Sequence, residues 1–170
     1  MIQRTRILEA RICFAIFYTL FSLALLSCVS IGNLFPGVSA YGAISAADGR
    51  QLFIEQILVE RTLESTTVGR QFTKLVPFFL SSRGWQVNET NDGVNRRVRF
   101  LLHEHEAYKN FTATNVIYIE MLIYEANEIS PIFIARVWTE GQESLLDEAL
   151  LQRLAQQLIN QLPAVKVVAE

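Results

Sequence analysis

Cysteine is scarce in this chain. Its 170 residues include two, Cys13 and Cys28, and none follows Cys28. A disulfide framework, a thiol nucleophile and a cysteine-based metal site are therefore excluded beyond that point. The rest of the chain must be stabilised by its apolar core. Histidine is equally scarce, with His103 and His105 only. The sequence has no glycine-rich phosphate loop, no Gly-x-Ser-x-Gly, and no Ser, His and Asp in a recognisable catalytic context. It also lacks an excess of positive charge. The formal net charge is −2, and only three Arg and one Glu fall in residues 1–27, so the remainder, with 12 basic and 16 acidic residues, carries −4. Nucleic-acid binding calls for a basic face, so no nucleic-acid partner is expected. These absences together predict a protein that is not an enzyme and needs no cofactor.

What the chain does have is an uncharged apolar stretch, residues 12–31 (ICFAIFYTLFSLALLSCVSI), preceded by Arg4, Arg6 and Arg11. A basic region followed by an apolar run is an export signal. Near its end, Leu25-Leu26-Ser27-Cys28 resembles a bacterial lipobox, which implies that Cys28 carries acyl chains such as palmitate and becomes the mature N-terminus. Two chains anchor stably where one is marginal, at about 0.8 kcal/mol per buried methylene. Two alternatives stay open. About twenty apolar residues also suffice for an uncleaved single span, with the arginines held in the cytoplasm. Val38-Ser39-Ala40 has the small-residue pattern of ordinary signal cleavage, although the apolar run ends well before it. All three place the rest of the chain outside the cytoplasm. A buried helix of a cytosolic protein is disfavoured, because the run is too uniformly apolar to be amphipathic.

The expected organisation is a signal peptide or anchor over residues 1–27, a lipidated tether over 28–50, an α+β domain over 51–163, and a tail over 164–170. Residues 32–49 are rich in Gly, Ser and Ala and read as a tether or a loosely placed first strand. Residues 51–61 read as a strand, with Glu55 and Gln56 blurring the alternation. Val68, Phe72, Leu75, Val76, Phe79 and Leu80 recur at helical spacing. Pro77 should kink or break that helix, and Gly84 should close it. Residues 94–106, 115–126 and 131–140 read as strands. Ser144 to Asp147 resembles a capping box ahead of a C-terminal amphipathic helix bearing Leu146, Ala149, Leu150, Leu154, Leu158 and Leu162. The expected fold is an α+β two-layer sandwich: a mixed four-stranded sheet in βαβββα order with two helices on one face. The first strands should be parallel through a crossover, and strands joined by short turns antiparallel.

Period-two alternation splits residues 97–105 into Val98, Phe100 and Leu102 on one face and Arg97, Arg99, Leu101, His103 and His105 on the other. Both faces of 115–126 are largely apolar. Tyr118, Leu122 and Tyr124, with Leu101 and Trp138, should lie away from the helices and form a candidate partner or lipid surface. The competing reading has the tether or an extra strand folded over them. His103 and His105 lie two apart on one strand face and are candidate zinc or copper ligands. The blander reading is a solvated strand end, and the sequence identifies no third ligand. Glu104 with Glu106, or Glu125 with Glu128, read as solvated acids rather than a hydrolytic pair.

The lipobox-like Leu-Leu-Ser-Cys, Arg83-Gly84-Trp85 after the first helix, the strand end Ala135-Arg136-Val137-Trp138-Thr139-Glu140-Gly141, and Leu162-Pro163 after the last helix together resemble small bacterial envelope lipoproteins. In outline they are similar to the lipopolysaccharide-assembly lipoprotein and to related uncharacterised lipoprotein families of the same plan. The likeness covers residues 50–163 and the signal. It implies a non-enzymatic protein anchored through Cys28 in the outer membrane, facing the periplasm, and binding an envelope protein or a lipid, with outer-membrane assembly as a possible setting. The Pro77 helix and the missing cysteines depart from the assembly lipoprotein. The alternative functions are a periplasmic metal-binding or chaperone-like module using His103 and His105, or a single-span inner-membrane protein.

Overall fold

The structure, a computed structural model, describes residues 37–44, 49–60, 65–109 and 112–164. All lie within one compact unit, Pro36–Glu170. The apolar stretch 12–31, both cysteines and the last six residues lie outside the described residues. Among the described residues no helix is long and apolar enough to cross a membrane.

The elements run β1 (Gly37–Gly42), β2 (Gln51–Glu60), α1 (Ser65–Ser82), β3 (Gln86–Asn88), β4 (Arg96–Lys109), β5 (Thr112–Glu125), β6 (Phe133–Gly141) and α2 (Glu148–Ile159). They build one curled, mixed six-stranded sheet in the order β1-β6-β5-β4-β2-β3. This corrects the expected four-stranded two-layer sandwich. Two edge strands account for the difference. Gly37–Gly42, in the stretch read as a tether or loose first strand, pairs antiparallel with β6 over six residues. At the other edge, Gln86–Asn88 pairs parallel with the start of β2. Strands β3 and β4 are joined by the Thr90–Gly93 turn, yet they do not pair with each other. They flank β2, and both run parallel to it. A short turn predicts a hairpin only when the strands also meet, and here β2 lies between them.

Strand β2 also explains its own blurred pattern. Its register against β4 slips between Ile54 and Gln56, leaving Glu55 as the extra residue of a bulge. A bulge shifts the alternation by one position. Leu52 and Ile54 face the core before it, and Ile57 and Val59 after it.

Both helices pack on one face of the sheet, α1 against β2 and β3, α2 against β5 and β6, and against each other. That face carries Val98, Phe100 and Leu102 of β4, Ile117, Ile119, Met121 and Ile123 of β5, and Ala135 and Val137 of β6, all essentially inaccessible to solvent. The Phe72 ring of α1 meets Phe100 edge-on at 5.3 Å. Each such large side chain contributes about 1.5–3 kcal/mol by leaving water.

Helix α1 runs through Pro77 to Ser82. Its end is a Schellman motif: Trp85 N–H donates to the Leu80 carbonyl and Gly84 N–H to that of Ser81. Gly84 sits at φ 83°, a conformation that glycine adopts at no steric cost. Trp85 and Leu80, the apolar pair of that motif, are both buried. Helix α2 is capped by Asp147, not Ser144: its carboxylate accepts from the N–H groups of Ala149 and Leu150. Ser144 makes the preceding turn. Leu145 is buried there, and Leu146 is exposed.

Candidate binding face

The face of the sheet away from the helices is organised in cross-strand rows. One row runs Glu60, His103, Tyr118, Trp138, Gly37 from β2 to β1. The next runs Leu58, Leu101, Glu120, Arg136, Ser39, and the next Gln56, Arg99, Leu122, Ile134, Tyr41. Arg97 and Tyr124 are opposite each other beyond that. Tyr118, Leu122, Tyr124 and Trp138 therefore share this face, as their spacing predicted. Directly opposite residues in a sheet are close enough for their side chains to interact.

At one end, Glu55 gathers two arginines. Its carboxylate accepts from Arg97 Nη1 at 3.0 and 3.2 Å, and from Arg99 Nε and Nη2 at 2.8 and 2.9 Å. Glu55, the extra residue of the β2 bulge, reaches both arginines on this face. The Arg99 hydrogen bonds, with the nearby charge of Arg97, hold the Glu55 carboxyl below its ordinary range against a smaller opposing effect of burial. Both guanidinium carbons lie 5.2 Å from the centre of the Tyr124 ring. Tyr124 is thereby only 8% exposed. Arg97 and Arg99 cover its ring.

In the middle, Arg136 donates to Glu120 at 2.7 and 3.2 Å and lies over the Tyr118 ring at 5.5 Å. Beside it, Ser39, Tyr41, Glu120, Ile134 and Arg136 line a crevice of about 270 Å³. Trp138, 43% exposed, and Tyr41, 69% exposed, present the open aromatic surface. At the other end, Tyr118 stacks on His103 with centroids 4.6 Å apart and planes at 16°.

Among the described residues no group of three or more His, Cys, Asp or Glu is arranged to hold a metal. Glu104 points to the opposite face from its histidine neighbours and accepts from Leu145 N–H. Glu125 pairs with the buried Arg96. Neither belongs to a carboxylate pair. A second crevice, of about 300 Å³, lies at the start of β2 and β4. Arg96 lines it, but donates to Glu125 and to the Gly49 carbonyl.

Sequence reasoning missed Glu55, Glu120, Arg136 and Tyr41. Three of them carry a signal in hindsight. Glu120 and Arg136 fall on the outward register of neighbouring strands, and Glu55 breaks the alternation of its own strand. Tyr41 carried none, because β1 lies in a Gly- and Ser-rich stretch.

No protein-family model matches the sequence, and no curated protein matches it. The fold is shared with solved structures. A PelC dodecamer from Paraburkholderia phytofirmans aligns at TM-score 0.55 and 10% identity, covering 77% of this chain and 99% of that one. A single-residue variant of it, also a dodecamer, aligns at 0.54 and 13% with the same coverage. Lipoprotein GNA1162 from Neisseria meningitidis is more distant, at TM-score 0.43 and 12% identity over 66% of this chain and 97% of that one. At these identities the likeness is one of fold. The class so defined is a curled mixed-sheet domain with two helices on one face. None of these three is a lipopolysaccharide-assembly lipoprotein.

Proposed function

We propose that this chain is a non-enzymatic bacterial envelope protein, anchored by lipid at Cys28, that binds a protein partner through the outward face of its sheet. The observation that carries the reading is Trp138 and Tyr41 lying open in a face of paired arginines and carboxylates. Trp, Tyr and Arg are the residues that dominate binding energy at protein interfaces. A face so rich in paired charge suits a protein surface better than lipid chains, which offer no hydrogen-bonding groups to such side chains.

The anchor position has support from β1. Cleavage after Ala40 would remove four of the six residues that pair with β6, whereas acylation at Cys28 leaves the strand whole. Nine residues from Cys28 to Gly37 reach at most about 30 Å when fully extended. The anchor would thus hold the β1 edge within that distance of the membrane.

Photo-crosslinking tests the reading. A photoreactive residue is placed at Tyr41, Trp138 or Arg136, and at Lys74 on α1 as a control, in cells expressing the full chain. One protein adduct shared by the sheet positions and absent from Lys74 is the expected result. No adduct, or the same adduct from Lys74, would rule the face out. The intact mass of the mature N-terminal peptide tests the anchor: a diacylated Cys28 is expected, and a start at Tyr41 or Met1 overturns it.

A second reading takes the partner to be another copy of the chain. It is favoured by both fold neighbours above being dodecamers. Sedimentation of the full chain in detergent separates the two, since self-assembly gives one large species without any other protein.

A further inference from the structure

Glu60, His103 and His105 occupy one corner of the outward face. Parallel pairing sets Glu60 opposite His103, and strand alternation puts His105 on the same side. Three contacts fix His103. Its ring lies flat against Tyr118. Its Nδ1 is 3.0 Å from Glu60 Oε2, and its Nε2 is 3.0 Å from His105 Nδ1.

The carboxylate accepts a hydrogen from Nδ1, which leaves the Nε2 lone pair directed at His105. A carboxylate on the far nitrogen is the usual companion of a metal-bound histidine, because it sets the tautomer and raises ligand basicity. Two nitrogens each about 2.0–2.1 Å from one ion are about 2.9 Å apart at a right angle and about 3.3 Å apart at a tetrahedral angle. At 3.0 Å the two nitrogens are close enough to share one ion, and among first-row divalent ions Cu²⁺ is the one nitrogen ligands bind most tightly.

We propose that His103 Nε2 and His105 Nδ1 form an open two-nitrogen site for Cu²⁺, with Glu60 as the positioning residue and Tyr118 as the wall that holds the His103 ring. His105 is exposed, so water or a partner's side chain fills the remaining positions. Binding the ion requires the rings to turn, because the hydrogen bond aligns the nitrogens along the line between them and the ion sits off that line. The site does not depend on the protein partner proposed above.

The test is titration of the purified full chain with Cu²⁺ alone, followed by calorimetry and electron paramagnetic resonance. The wild type should bind a tetragonal Cu²⁺ whose spectrum shows coupling to two imidazole nitrogens. His105→Ala should lose one of the two couplings and at least about tenfold in affinity. Glu60→Gln should weaken binding by about tenfold while keeping both nitrogens. Circular dichroism confirms that each variant is folded, and the exposed His105 is the position least able to disturb the core. The site is overturned if wild-type Cu²⁺ shows no imidazole coupling, or if His103→Ala/His105→Ala leaves the spectrum and affinity unchanged. Unchanged affinity in Glu60→Gln overturns the role of the carboxylate.

Discussion

The indole of Trp138 lies directly over Gly37 of the neighbouring edge strand, in the space that a side chain at residue 37 would occupy. Gly37→Val must therefore push the ring off β1. The expected result is a loss of about 1–3 kcal/mol, the usual cost of overpacking, together with a red shift in the emission of Trp138. Trp85 is buried and should keep its emission. Urea unfolding followed by tryptophan fluorescence reads both, and unchanged stability with unchanged emission would contradict this packing.

Glu55 links acidity to stability. Its folded pKa lies below the ordinary value of 4.5 because Arg99 and Arg97 favour the charged form. Such a group stabilises the fold above its unfolded pKa, and the contribution is lost as pH falls through the lower, folded value. Glu55→Gln should therefore be less stable than wild type near pH 7. The gap should close as pH falls below about 4.5 and through the folded value. Urea midpoints measured across that range check it, and a gap independent of pH would refute the assignment.

The two helix ends make separable claims. Asp147→Ala removes the acceptor for two N–H groups of α2 and should cost about 1 kcal/mol. Gly84→Ala forces a side chain into φ 83° and should cost about 1–2 kcal/mol. The sites are on different helices, so the double variant should lose close to the sum. Denaturant titration of the two single variants and the double variant measures this.

Removing β1 should expose the edge of β6. A chain beginning at Tyr41 loses most of the β1 pairing, and an unpaired strand edge recruits other strands. Compared with a Cys28→Ser chain that keeps residues 37–42, it should melt lower and self-associate. Thermal unfolding and sedimentation compare the two directly. Equal stability would mean that β1 adds nothing to the sheet.

The periodicities were the legible part. Alternation set Val98, Phe100 and Leu102 on one face of their strand, and all three are buried, as are Ile117, Ile119, Met121 and Ile123 of the neighbouring strand. Burial of one face imposes that alternation on a strand, so it can be read without coordinates. Helix α1 was legible for the same reason, and Gly84 marked its end. The cap of α2 was misplaced because Ser144 and Asp147 are both residue types that cap, and only backbone geometry distinguishes them.

The sequence by itself determined which residues α1, β4 and β5 turn inward, that the chain past Cys28 has no thiol chemistry, and that a lipobox-like motif ends its apolar run. Each of these depends on local composition or on spacing along one element. Only the tertiary structure decided that β1 and β3 close the sheet edges, that β2 separates β3 from β4, that Glu55 swings outward to hold Arg97 and Arg99, and that Glu60 meets His103. Those are pairings between residues far apart in the chain. Strand order and register set them, and neither is encoded in the periodicity of any single strand.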